Sequence, residues 1–464
     1  MHTLPKPSVR WGLLVGLCWL YTSIHLDRQI LAILAESVKS DLHLSDQSLG
    51  ALTGSDFSIV YALLGLYFGQ RADRDDRLSL VKLGAWIWSF SSIGAAFAGS
   101  YALLVVGRAG LAAGEAIATA AAVSLMAELS GDRYRARASS VFFAGAFLGA
   151  GLAAALGGAT VEYFQRSHSI AGWRAALVLA GLPGIAGALY LSCFNWREPA
   201  RPRSGGMGGA AVTLSLIGAS MLSVLVQTYW SPTVGVPLAL SLATGAACLW
   251  ARGLRLGDAP AFQATWGNAA FRWFLLAFAA LLFVDSAASF WLIPFAERRF
   301  AVGAATAGAQ LGALLIVGGI AGAVLGGLIA DRWYAFSAAG RIWTALIAAL
   351  LETAAILTAI FQVRYPAFLL AYGCFCLAGG AWIGVAAAIG MDIVPRAHRG
   401  VAIGGYFLVT TVLGPGLGAW VAGMLADSFG SLSGALIACC LASIVATVAF
   451  ARLGVISVGG RRAA

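Results

Sequence analysis

The sequence predicts an all-α polytopic membrane protein of fourteen spans, built as two six-helix bundles with two inserted helices and with both termini cytoplasmic. Three observations predict it. The 464 residues are 60% hydrophobic and only 11% charged, against about a quarter charged in a soluble domain. Apolar stretches recur at the ~20-residue length of one helical crossing. The basic residues between those stretches alternate in density, as positive-inside topology requires.

With loops placed at charge clusters and at Gly, Pro, Asn and Asp, the spans fall near 11–37, 47–71, 78–99, 101–129, 136–164, 171–194, 211–229, 235–251, 270–296, 304–330, 341–362, 366–391, 400–426 and 432–453. The opening stretch superficially fits a signal peptide. No A-x-A-like cleavage site follows it, and it runs on into Asp27–Arg28, so it is expected to be a retained first span. With a cytoplasmic N-terminus, 22 of the 30 basic residues fall on the cytoplasmic side and six outside. Arg28 and Arg108 are left within the membrane. One missed or false span would scramble this asymmetry.

The chain is also duplicated. "GQRADR" (Gly69 to Arg74) returns as "GLIADR" (Gly327 to Arg332), 258 residues on, and the same offset carries Asp27 onto Asp285. The duplication divides the chain into bundles 1–199 and 263–464. Between them, residues 200–262 hold two apolar segments without counterpart. An even insertion leaves both halves in one orientation, as parallel repeats require. The inserted pair offers few polar groups, Gln227 among them, and is expected at the periphery as a contact for lipid or for a dimer.

Several function classes are excluded. The net charge of +10 is distributed between spans rather than gathered in one patch, so no nucleic-acid partner is expected. The seven cysteines all lie in apolar segments without C-x-x-C or zinc-ligand spacing; no metal and no cofactor are expected. No G-x-x-x-x-G-K-[ST] loop argues for direct ATP use. No H-E-x-x-H or G-x-S-x-G pattern argues for an enzyme.

The informative residues are the charges inside spans. Each costs roughly 2.5–3.5 kcal/mol at mid-helix, so it must face a cavity or a partner. From helical rise, Asp27 lies ~24 Å above the inner face and Asp285 ~21 Å. Asp56 and Arg108 stand at comparable height, with Glu115 two turns deeper on the Arg108 face. Matched heights suggest a polar vestibule. The plainer alternative is a permanent Asp27–Arg108 or Asp56–Arg28 bridge that only pins helices. His25 lies off the Asp27 face and is expected to make a polar helix contact. Glu352, alone in its span, is expected to be a packing residue or a contact for the insertion.

The repeated G-x-x-x-D-R loop resembles the signature of the major facilitator superfamily. Here Asp76 stands in the glycine place, and only Arg77 remains of the basic pair that follows. "DRQILAILAESVKSDLHLSDQSLGAL", "GRAGLAAGEA", "GWRAALVLAGLPGIAG" and "FVDSAASFWLIPF" are similar to the spinster-like branch. The resemblance implies a transporter working by alternating access. It implies proton binding at Asp27 and Glu115, with Arg28 and Arg108 pairing with them or with substrate. Asp285 is expected to bind a proton or touch substrate, and Asp56 to join the charge relay. Gly69, Asp73, Arg74 and Arg77, with Gly327, Asp331 and Arg332, would form a cytoplasmic gate. The substrate is expected to be a lysophospholipid or sphingoid-type amphiphile, or a small organic anion. Protons and membrane lipids are the other partners, and the cytoplasmic (inner) membrane is the expected location. The alternative is a non-transporting sensor on the same fold.

Overall fold

The computed structural model describes residues 6–72, 75–167, 171–194, 196 and 210–462. Asp73 and Arg74 of the first gate motif lie outside the described residues. The helices are α1 (Pro7–Leu42), α2 (Asp46–Thr53), α3 (Ser55–Ala72), α4 (Arg77–Ala95), α5 (Tyr101–Ser167), α6 (Gly172–Ser192), α7 (Ala210–Tyr229) and α8 (Pro232–Gly257). They continue with α9 (Ala259–Ala264), α10 (Ala269–Phe300), α11 (Ala304–Tyr334), α12 (Gly340–Ile360) and α13 (Tyr365–Ile393). After a 3-10 turn come α14 (Arg399–Leu413), α15 (Pro415–Phe429), α16 (Leu432–Cys440) and α17 (Ala442–Arg462). Every regular element among the described residues is helical.

Eleven helices among the described residues are long and apolar enough to cross a membrane. Three further expected spans coincide with helices that fall short of that measure. α1 carries its charges mid-helix, α4 is diluted by Ser and Trp, and the apolar part of α7 is only Ser215–Tyr229. The expected loop at 130–135 is helical instead: α5 runs through the basic segment and carries two membrane-length stretches, Tyr101–Ser130 and Val141–Gln165. Charges end a membrane crossing. They do not end a helix, because Arg and Ala are good helix formers.

The chain forms two compact units. The first comprises residues 1–44, 56–246 and 303–309; the second comprises 45–55, 247–302 and 310–464. In the first, α1, α4, α5 and α6 pack around Leu13, Leu17, Trp88, Leu125 and Leu191. The inserted α7 lies against α5. Asp41 fastens the C-terminal end of α1. Its Oδ2 accepts from Trp173 Nε1 at 3.0 Å and from Arg174 Nη2 at 3.1 Å, while Arg174 Nη1 donates to the Ala96 and Ala98 carbonyls at 2.9 and 2.8 Å. One guanidinium thus ties α1 and α6 to the buried carbonyls that follow α4.

The second unit is organised by aromatic rings: Phe271, Phe274, Phe278, Trp382, Tyr406 and Phe450 meet edge to face or tilted. The short α2 belongs to this unit and lies on α15. A Cβ on Gly50 or on Gly423 would strike the facing backbone, of Ala419 and Asp46 respectively. The N-terminal amides of α2 are well satisfied. Ser45 accepts from Ser48 N–H, and Asp427 accepts from the Asp46 and Gln47 amides at 3.1 and 2.8 Å. Arg298 donates two bonds of 2.7 Å to Asp46. Negative groups at a helix N-terminus complement its dipole.

Close helix approach relies on glycine, because lipid offers no hydrophobic force between helices. On α11, Gly322 and Gly326 lie against the Leu377 and Ala381 carbonyls; on α13, Gly380 faces the Gly319 carbonyl. By contrast, a Cβ on Gly384 of α13 meets nothing within 4 Å. We predict that Gly380→Ala and Gly326→Ala each destabilise the purified protein by roughly 1–3 kcal/mol, whereas Gly384→Ala leaves it unchanged or slightly stabilised. Melting temperatures in detergent check this; equal effects at all three sites would contradict it.

Candidate functional site

The first unit buries a cluster of ionisable side chains from α1, α3 and α5. Asp27, Asp56 and Glu115 are fully buried, and Arg108 nearly so. Arg28, next to Asp27 on α1, points along a different helix face, as the 100° step per residue dictates. It donates from Nε to Glu115 Oε2 at 3.1 Å and from Nη2 to the same oxygen. Its guanidinium stacks over Phe57 and Tyr61 at 4.7 and 4.8 Å and bonds the Tyr61 hydroxyl. Arg108 approaches the Phe57 ring at 5.1 Å, with Asp27, Glu115, Asp56 and Arg28 all within electrostatic reach.

Asp27 is held by a hydroxyl. Ser92 Oγ on α4 lies 2.7 Å from Asp27 Oδ1 and 3.2 Å from the Leu177 carbonyl of α6. A hydroxyl has one proton to give. With Asp27 ionised, Ser92 donates to it. With Asp27 protonated, Asp27 can donate to Ser92 and Ser92 to Leu177. The arrangement therefore accepts either protonation state without an orphaned donor. Asp27 Oδ2 and Glu115 Oε1 are buried with no hydrogen-bond partner.

Neither bridge weighed from sequence is among the contacts of the described residues. Arg28 takes Glu115 rather than Asp56, and Asp56 accepts from the Tyr101 hydroxyl at 3.0 Å. Asp27 takes Ser92, with Arg108 near but not bridging it among the contacts described. His25 pairs through Nδ1 with the Tyr21 carbonyl at 3.0 Å, a polar contact along its own helix.

In the second unit, Asp285 of α10 accepts from Ser289 at 3.4 Å and shares a hydrogen bond with Glu352 of α12. Glu352 is fully buried and its Oε2 accepts from Trp382 Nε1 at 2.8 Å. Sequence reasoning took Glu352 as a packing residue or a contact for the insertion; a lone acid in an apolar span was the only signal that could have found its role.

The gate motifs sit apart from these clusters. Arg77 is buried and donates to Ser124 Oγ at 2.7 Å and Glu128 Oε2 at 2.6 Å. In the second copy, Asp331 pairs with Arg341, which also binds Asp392 at 2.8 Å, while Arg332 is exposed. A Cβ on Gly69 or Gly327 would meet nothing within 4 Å, so helix contact within this structure does not explain those glycines.

A polytopic helical membrane protein with buried ionisable clusters is the class that fold and site define. The chain belongs to the Major Facilitator Superfamily, whose profile matches residues 17–410. It is 31% identical over 180 residues to an MFS-type efflux pump of Mycolicibacterium smegmatis, a match covering 39% of this chain and 40% of the pump. It is 24% identical over 197 residues to protein spinster of Drosophila melanogaster, covering 42% of this chain and 31% of that one. The matched stretches thus span less than half of either relative. A bacterial homologue of the human lysosomal transporter Spinster, in an inward-facing, occupied conformation, has the same fold at a TM-score of 0.75 and 19% identity, over 97% of both chains.

The Arg28–Glu115 pair yields a quantitative expectation. Removing one partner of a fully buried pair costs ~3–5 kcal/mol. Because the Arg28 side chain keeps 30% exposure, solvent screening reduces the coupling, to roughly 1–3 kcal/mol. A double-mutant cycle of Arg28→Gln and Glu115→Gln, read by thermal unfolding in detergent, checks it. Additive effects would mean the two side chains do not act as a pair.

Proposed function

We propose that the protein is a secondary active transporter that works by alternating access and couples an amphipathic, lipid-like molecule or an organic anion to protons. In this reading the chain crosses the inner membrane fourteen times with both termini cytoplasmic. Two six-helix halves, residues 1–199 and 263–464, rock about the substrate, and residues 200–262 contribute the inserted pair. Asp27, Glu115 and Asp285 carry protons; Arg28, Arg108 and Asp56 relay charge to the substrate. Gly69, Asp73, Arg74 and Arg77, with Gly327, Asp331 and Arg332, form the cytoplasmic gate.

One observation carries the reading: among the described residues of the buried charge cluster, Arg28 is the one whose side chain stays partly exposed, with its guanidinium set between Glu115 and the rings of Phe57 and Tyr61. A cation on aromatic faces suits the anionic head of an amphiphile or a small carboxylate. An anion that draws Arg28 from Glu115 leaves a buried carboxylate without its counter-charge, and the favoured response is proton uptake. Substrate and proton then move together through one residue. Asp27, whose Ser92 partner can serve either of its forms, is the second proton carrier in the same cluster. Relatives named as an efflux pump, a spinster protein, a cephamycin export protein and a probable sulfoacetate transporter agree with transport and differ in cargo.

The test is a substrate panel on proteoliposomes: lysophospholipids, sphingoid bases and small carboxylates, driven by a pH gradient. Asp27→Asn and Glu115→Gln are expected to lower gradient-driven transport by roughly 5–150-fold, the span of a ~1–3 kcal/mol coupling, while counterflow exchange persists. Full gradient-driven transport by both variants would defeat the coupling assignment.

Ser92→Ala should act more mildly. Asp27 loses the hydroxyl that serves its ionised form, at a cost of about 1–3 kcal/mol. The pH midpoint of transport should then shift, with maximal rate retained. A midpoint unchanged from wild type would remove Ser92 from the relay.

A further inference from the structure

The second unit holds two carboxyls that no cation serves among the described residues. Glu352 is completely enclosed, while Asp285, on the facing helix, is only half-buried. Trp382 Nε1 satisfies Glu352 Oε2 at 2.8 Å. Among the described residues, Glu352 Oε1 has no donor other than a protonated Asp285, which it faces. A Cβ placed on Gly379 of α13 would lie 3.6 Å from Glu352 Oε1 and 3.7 Å from Asp285 Oδ1, so both oxygens border one glycine. The side chains are within hydrogen-bonding distance of each other.

The surroundings are neutral. Ser289 on α10, Tyr372 and Cys376 on α13, and Cys440 on α16 are the polar or titratable groups that reach the pair, together with Trp382. From α14, Tyr406 turns to Phe274 and Phe278. On α15, Asp427 is engaged with the α2 amides. On α17, Arg452 lies beyond Phe450, whose ring meets Phe278, two helical turns from Asp285. Along α12 the nearest cation, Arg341, is spent on Asp331 and Asp392. Two carboxylate oxygens without a cation cannot approach in a low-dielectric interior unless a proton lies between them.

We propose that Asp285 and Glu352 form a carboxyl dyad that holds one shared proton, a proton-binding site of the second unit distinct from the Asp27–Glu115 cluster. Glu352, anchored by Trp382, is the fixed member, and the half-buried Asp285 is the member through which the proton enters and leaves. The transfer balances simply: one proton bridges the two carboxyls, and its departure leaves the second negative charge on Asp285, where water can reach it. This deepens the proposed transport reading by giving Asp285 a partner. The dyad itself requires only the geometry of the second unit.

Infrared spectroscopy of purified protein in lipid tests it. Against a background of Asp27→Asn with Glu115→Gln, a protonated-carboxyl C=O band is expected at pH 7.5–8, roughly a pH unit above neutrality. Glu352→Gln and Asp285→Asn should each abolish that band, since an amide donor leaves the remaining carboxyl ionised. Trp382→Phe, a gentler change, should shift its frequency while keeping it. Circular dichroism and gel filtration check that each variant is folded; should the carboxyl variants not fold, the Trp382→Phe shift decides. A band unaltered by all three changes, or no band in the background, overturns the dyad. A band that disappears on adding Na+ and returns on its removal also overturns it, by making the site one for sodium. Transport assays separate the two ideas. Loss of the dyad band assignment with intact Asp27→Asn and Glu115→Gln transport defects sinks the dyad alone. A confirmed dyad in a protein that transports nothing on the panel leaves the dyad standing and removes the transport reading.

Discussion

A charge held away from water must find its opposite, a full set of hydrogen bonds, or a proton, and this requirement shapes most of the polar structure of the chain. Arg28 has Glu115, Arg77 has Glu128 and Ser124, Arg174 has Asp41 and two carbonyls, and Arg298 has Asp46. The cation is arginine in every case; Lys6, Lys39 and Lys82 are the only lysines in the sequence. A planar fork with five donors can serve several acceptors at once, which an ammonium point charge does less well. Arg174 illustrates the difference by joining three chain segments with one side chain. Such pairs add little net stability over apolar packing, because desolvation offsets the attraction. Their effect is to fix which helix stands beside which.

Small residues solve the complementary problem. The packing of α11 on α13 and of α2 on α15 brings backbone against backbone at glycines, where dispersion contacts accumulate without a side chain intervening. Aromatic rings then fill the larger gaps, as around Phe278 in the second unit. Polar pairs set identity and glycines set distance, so one helix can be held closely without being welded by hydrophobic force.

Sequence made visible what is one-dimensional. A charge in an apolar run, a repeated hexapeptide and the side-to-side bias of arginine can all be read along a line, and so Asp27, Arg28, Arg108, Glu115 and Asp285 stood out. Partners could not be read that way. Glu115 lies 87 residues from Arg28, and Glu352 lies 67 from Asp285; neither distance matches a helical period. Glu352 was passed over because a single acid among apolar neighbours carries no hint of which helix faces it. The same limit applies to helix ends. Charge clusters mark where a crossing stops, yet α5 continues through one, while the breaks at Gly54 and Gly414 fall inside spans that read as continuous.

Duplication makes the two clusters comparable, and their divergence has a consequence. Asp27 and Asp285 occupy corresponding positions, but the residue after Asp27 is Arg28 and the residue after Asp285 is Ser286. In the first unit Asp27 has the Arg108 guanidinium within electrostatic reach, so losing its proton leaves a charge with a cation nearby. In the second, the nearest ionisable partner is another acid, and losing both protons would leave two bare charges in an apolar interior. The first environment therefore tolerates exchange of a proton for an anionic group, whereas the second retains a proton until water reaches Asp285. In the proposed reading, the opposite electrostatic surroundings of Asp27 and Asp285, rather than the charge of either, separate a site suited to exchange from one suited to storage.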